Sequence, residues 1–115
     1  SRIDLSSNEV TINNYGPGTV CGGSVLKYNS NIYRSYQGGI AILDEQLNIL
    51  EETKIGSYNP SQLYSSEVIG DLVYFGITNY TDINQVKVVD FNNNEIASYE
   101  VGLFPGDFAY WSQNN

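Results

Sequence analysis

The sequence predicts an all-β chain assembled from four-stranded antiparallel units, and three observations carry that reading. An aspartate, an asparagine four positions on and a glycine twelve positions on occur together three times: Asp4, Asn8 and Gly16; Asp44, Asn48 and Gly56; Asp90, Asn94 and Gly102. Around them, short β-branched and aromatic runs are separated by Gly, Pro, Asn and Asp, the composition of strands and turns. No window combines a helical apolar stripe with helix caps. The steps of 40 residues between Asp4 and Asp44 and 46 between Asp44 and Asp90 lie in the range of repeat architectures.

The elements follow in chain order. A half unit occupies residues 2–16, full units occupy about 19–56 and 62–102, and a further leading strand is expected at 107–111. Each leading strand comes after a proline: "TVCGG" after Pro17 and "QLYSS" (Gln62 to Ser65) after Pro60 in the full units, and "DFAYW" after Pro105 in the further unit. The second is aromatic-rich, Ile32 to Tyr36 or Val73 to Ile77. The third is β-branched, Ile40 to Leu43 or Val86 to Val89, and the fourth runs from Asn48 or Asn94 to the glycine. The shorter step reflects a shorter hairpin, "QGG" against "TNYTDINQ", and Pro17 directly abutting Gly16.

The recurring residues are assigned to one turn. An aspartate that opens a turn accepts hydrogen bonds from backbone N–H groups about two residues on. An asparagine tolerates the left-handed backbone at the turn's exit. The glycine ends the fourth strand where the chain bends sharply, and the proline, lacking an N–H, suits the crossing that follows. The competing assignment makes Asp4, Asp44 and Asp90 calcium ligands or catalytic carboxylates. A residue demanded by every unit is better explained by a turn that every unit makes.

Four-stranded units of this length are those of β-propeller blades. The stretch "LVYFGITNY" followed by "VKVVDFNNNEIASYEVGLFPGDFAYWSQNN" resembles the YVTN-type repeat of seven-bladed propeller proteins. A Val-Tyr strand, a Thr-Asn-Tyr turn, a Val-hydrophobic-Asp strand, a strand ending in Val-Gly and a proline follow in that family's order. The second unit departs from it, since "IYRSYQGG" lacks Thr-Asn-Tyr. The resemblance implies an incomplete propeller: a partial blade of two outer strands at 1–18, full blades at 19–58 and 59–104, and the inner strand of another blade at 105–115. Closed propellers typically need about four to eight blades. The expected partners are therefore the remaining blades of the same protein or other copies of the chain, with the fragment favoured over head-to-tail assembly.

Composition narrows the function classes. Five basic and thirteen acidic side chains give a net charge of −8, and charged residues make up 16% of the chain. Arg2, Lys27, Arg34, Lys54 and Lys87 are scattered rather than striped, which disfavours nucleic acid and anionic membrane surfaces. No apolar run approaches the roughly 20 residues that span a bilayer, so membrane insertion is not expected. No signal peptide is visible, and the opening "SRIDLSSNEV" reads as strand and turn of a mature or excised segment. The single Cys21 has no disulfide partner within the chain and reads as a small apolar residue.

Candidate sites are few. Asn79-Tyr80-Thr81 is a glycosylation acceptor on an expected exposed hairpin. Tyr58, Tyr64, Tyr110 and Trp111 are flat amphipathic side chains suited to protein or glycan ligands, or to packing between blades. No His is present, and no cofactor or metal is expected. Glu51 and Glu52 fall on opposite strand faces, unlike the paired carboxylates of a glycosidase. The expectation is a non-enzymatic binding or structural module in an extracytoplasmic or cell-surface setting. The alternatives are a piece of a propeller enzyme with its catalytic groups in other blades, and a self-assembling filament or layer subunit.

Overall fold

The computed structural model describes residues 1–16 and 23–113, and all of its regular structure is β. A two-stranded hairpin, β1 (Arg2–Ile3) and β2 (Val10–Thr11), leads into two four-stranded antiparallel sheets. The first sheet contains β3 (Val25–Tyr28), β4 (Asn31–Tyr36), β5 (Gly39–Leu43) and β6 (Ile49–Ile55). The second contains β7 (Leu63–Ile69), β8 (Leu72–Ile77), β9 (Asn84–Asp90) and β10 (Glu95–Val101). Both are simple meanders in which each strand pairs with the next, so the chain is an incomplete propeller-like fold.

Turn chemistry sets these meanders. Asn29 (φ 45°) and Ser30 (φ 67°) both take the left-handed region between β3 and β4, as do Gln37 and Gly38 between β4 and β5. Two successive left-handed residues make the turn whose twist matches that of paired strands. Gly70 alone is left-handed between β7 and β8. Between β5 and β6 the register shifts at Ile40/Ile42. There the Ile42 N–H donates to Thr53 Oγ1 at 2.9 Å, so a side chain replaces the interrupted ladder bond.

The core lies between the two sheets. Tyr33, Ile40 and Ile55 of the first face Leu63, Val73, Phe75 and Val89 of the second. Alternation explains the selection: in β8, Val73 and Phe75 are fully buried while Tyr74 points to the opposite face. Burial of one such side chain is worth about 1.5–3 kcal/mol. Ser24 adds a polar link, accepting the Ser66 N–H at 3.1 Å across the sheets.

Two expectations need revision. The first strand of the first sheet falls at Val25–Tyr28, after the "TVCGG" stretch. Pro17 and Cys21, with the rest of residues 17–22, lie outside the described residues. No strand forms at 107–111: among residues 102–113 none belongs to a ladder. That segment instead crosses the outer face of the second sheet. The Pro105 carbonyl accepts the Ser65 hydroxyl, and Phe108 packs on Tyr74 with ring centroids 6.0 Å apart.

Two left-handed glycines are also fixed by close approach. A Cβ at Gly38 (φ 79°) would sit 1.8 Å from the Tyr58 carbonyl oxygen, and one at Gly56 (φ 86°) 2.9 Å from Phe75 Cζ. Gly70 shares the left-handed backbone but faces open space. Gly56→Ala is expected to cost about 2–5 kcal/mol, from backbone strain plus overpacking. Gly70→Ala should cost only about 1–2 kcal/mol. Urea unfolding measures both, and equal losses would contradict the packing assigned to Gly56.

Candidate interaction faces

Asp44 and Asp90 build the same turn. Asp44 Oδ1 accepts the N–H groups of Gln46 at 2.9 Å and Asn48 at 2.8 Å, while Oδ2 accepts Asn48 Nδ2 at 3.1 Å. Asp90 does the same with Asn92 at 2.9 Å, Asn94 at 2.8 Å and Asn94 Nδ2 at 3.1 Å. These bonds, led by the one from the Asn48 or Asn94 backbone, hold each carboxyl below its ordinary value. The arrangement orders a turn and leaves those oxygens engaged within it.

The first hairpin is a variant. Asp4 Oδ1 accepts the Ser6 hydroxyl at 2.6 Å and the N–H groups of Ser6 at 2.8 Å and Ser7 at 3.2 Å. The Asp4 N–H donates to Glu9, whereas Asp44 and Asp90 donate to Asn48 and Asn94, so this loop is one residue longer. The left-handed residue before re-pairing is Asn8 (φ 58°) in the first hairpin, and Leu47 and Asn93 (both φ 66°) in the others. Asn48 and Asn94 therefore serve as carboxamide donors, not as the residues of positive φ. The strand-end glycines also differ. Gly16 (φ 102°) and Gly56 are left-handed, but the exit after β10 bends at Phe104 (φ 57°) and not at Gly102.

The left-handed residues act between sheets. Asn93 Oδ1 accepts the Gly56 N–H at 2.8 Å, pinning the β9–β10 turn to the exit of the first sheet. Beside it Phe91 stacks on Tyr28 at 3.7 Å and meets Tyr33 edge-on at 5.8 Å. Tyr28 donates to Asp71 at 2.9 Å. Tyr58 donates to Glu95 Oε2 at 2.9 Å and packs on Phe75. Burial, then that carboxylate, raises the Tyr58 phenol above its ordinary value. One junction earlier the Leu47 carbonyl accepts Asn13 Nδ2 at 2.8 Å and also the Tyr15 hydroxyl. Arg2 donates to the Glu45 carbonyl at 2.9 Å, and the Arg34 guanidinium lies 4.0 Å over the Tyr15 ring.

Outside these junctions apolar surface remains open. On the first hairpin Leu5 is 90% exposed and Ile12 77%, and on β3 Val25 is 73% exposed. Shallow clefts lined by Tyr15, Arg34 and Ser35 separate this hairpin from the first sheet. Of the aromatic candidates, Tyr58 and Tyr64 are half-buried packing groups, the latter against Phe104, whereas Tyr110 and Trp111 are exposed. These four do not form one site. Asn79 is exposed, and its Oδ1 accepts the N–H groups of Thr81 and Asp82. Among the described residues no three His, Cys, Asp or Glu side chains converge as a metal site.

Leu47, Phe91 and Asn93 were not legible as contacts in the sequence, although each stands at a fixed offset from a recurring aspartate. Asn84, 2% exposed, accepts the Asn79 N–H and reaches the Gly102 carbonyl, with no sequence signal to mark it. In comparison with known proteins, no family model matches the chain, and no curated protein or solved structure matches it significantly.

The depressed Asp44 and Asp90 carboxyls predict an acid limit. A group whose folded value lies below its unfolded one stabilises the fold above the unfolded value and loses that contribution as the pH falls through the folded value. Stability should therefore be level at neutral pH and decline below the ordinary aspartate value of 3.8. Asp44→Asn combined with Asp90→Asn should lower the neutral-pH unfolding midpoint and flatten that decline. Thermal melts across acid pH test it; an unchanged acid slope would contradict the role given to the two turns.

Proposed function

We propose that the chain is a non-enzymatic segment of a YVTN-type β-propeller, a binding or structural module working in an extracytoplasmic setting. Its partners on this reading are further four-stranded sheets, from the same protein or other copies of the chain, together with protein or glycan ligands. The observation that carries the reading is a pair of sheets with the same meander, stacked face to face, with apolar surface open beyond both. Solvent-facing apolar groups at the ends of a stacked array are what neighbouring units normally cover. The carboxylates that recur along the sequence are consumed in turns, which supports an architectural use for them. Tyr110 and Trp111 offer exposed flat rings of the kind that stack on sugars and partner side chains. Few charged side chains and an exposed Asn-x-Thr acceptor support the extracytoplasmic placement.

An apolar fluorescent dye such as anilinonaphthalene sulfonate tests the open faces. The dilute folded chain should bind it while keeping a β-type circular dichroism spectrum and a cooperative unfolding transition. A folded chain that binds no dye would defeat the reading. Material from the native source should carry a glycan on Asn79, seen by glycopeptide mass spectrometry; a wholly unmodified Asn79 would remove the acceptor as support.

A further inference from the structure

The internal junction supplies a template for what the first hairpin does. In the contact between the two sheets, the residue after the turn aspartate, Phe91, packs on Tyr28 and Tyr33. The left-handed residue of the same turn, Asn93, accepts the N–H of the glycine at the preceding sheet's exit. The first hairpin carries both parts. Leu5 follows Asp4 and is 90% exposed, and Asn8 is the left-handed residue, again an asparagine. Its turn protrudes without a sheet beneath it among the described residues.

The receiving surface has a counterpart at the other end of the chain. Tyr28 pairs with Asn31 next to the β3–β4 turn, and Ile69 pairs with Leu72 next to the β7–β8 turn. Tyr33 and Tyr74 each stand two residues beyond those partners, so Ile69 and Tyr74 occupy the positions of Tyr28 and Tyr33 on the outer face of the second sheet. Gly102 follows β10 as Gly56 follows β6. Tyr74 is half-buried, and the Phe108 ring of the terminal segment lies tilted against it at 6.0 Å.

We propose that the first hairpin docks on the second sheet of another copy of this chain, Leu5 against Ile69 and Tyr74, with Asn8 accepting the Gly102 N–H. The contact is head to tail and uses different surfaces on the two copies, so it propagates into a ring or a filament. It rests on the modular reading above and adds the partner and the residues.

Sedimentation velocity of the whole chain over a concentration series is the first measurement. Association is expected, and Leu5→Asp, an exposed turn position, should weaken it at least about tenfold, as loss of an apolar anchor does, with the β spectrum intact. Disulfide trapping in a Cys21→Ser background locates the contact. Mixed Leu5→Cys and Ile69→Cys chains should form a heterodisulfide, and Leu5→Cys with Val25→Cys, an exposed position on the first sheet, should not. A monomer at the highest attainable concentration overturns the proposal. So does association indifferent to Leu5→Asp, preferential trapping at Val25→Cys, or Leu5→Cys homodimers as the sole product. A monomer that still binds the apolar dye would remove this contact alone and leave the modular reading in place.

Discussion

Face-to-face burial of one sheet on the other is the constraint on which the rest of the structure depends. A four-stranded meander has two faces, and in this chain both carry apolar side chains: Val73 and Phe75 on one side of β8, Tyr74 on the other. One sheet alone would leave such rows in water. Stacking removes Ile40, Val73 and Phe75 from solvent completely, and each such burial contributes on the order of 1.5–3 kcal/mol. The connections between the sheets must then be tight enough to bring the rows into register. Glycine is required where backbone passes against backbone, as at Gly38 under Tyr58, or against an aromatic ring, as at Gly56 over Phe75.

Burial by itself is indifferent to small rotations of one sheet over another, and the outer turns supply the missing specificity. The aspartate gathers its own turn's N–H groups, which rigidifies a loop that would otherwise fluctuate. A rigid turn can present its left-handed residue to the neighbouring sheet. At one junction this is a carboxamide on a backbone N–H, and at the other a main-chain carbonyl receiving side-chain donors. The docking site is thus conserved in position within the chain while the donor and acceptor chemistry changes. Leu47 illustrates the compromise: it accepts an unfavourable φ of 66° while its side chain is 5% exposed, so burial offsets the backbone strain.

The strand pattern was substantially legible because local rules govern it. The fourth strands, the aromatic β4 and β8 and the aspartate turns follow from alternation, β-branching and turn chemistry, which act over a few residues. Equivalence of the first hairpin with the others was legible only in part. Asp4 and Asn8 keep the spacing of Asp44 and Asn48, yet the loop closes one residue later and Asn8 takes the role of Leu47. Identical spacing in sequence does not fix hydrogen-bond register, which depends on which residue can adopt the left-handed turn. The stretch "DFAYW" has strand composition but no ladder here, because a strand needs a neighbouring backbone as well as suitable side chains.

The sequence by itself determined the fold class, the two full four-stranded units and the residues that nucleate their turns, since propensity and alternation are local. Tertiary structure decided which faces meet, that Phe91 rather than Asp90 touches the preceding sheet, and that Tyr58 and Tyr64 pack inward while Tyr110 and Trp111 remain in solvent. Those outcomes depend on the distance between groups far apart in the chain, and that distance is set only when the two sheets close on each other.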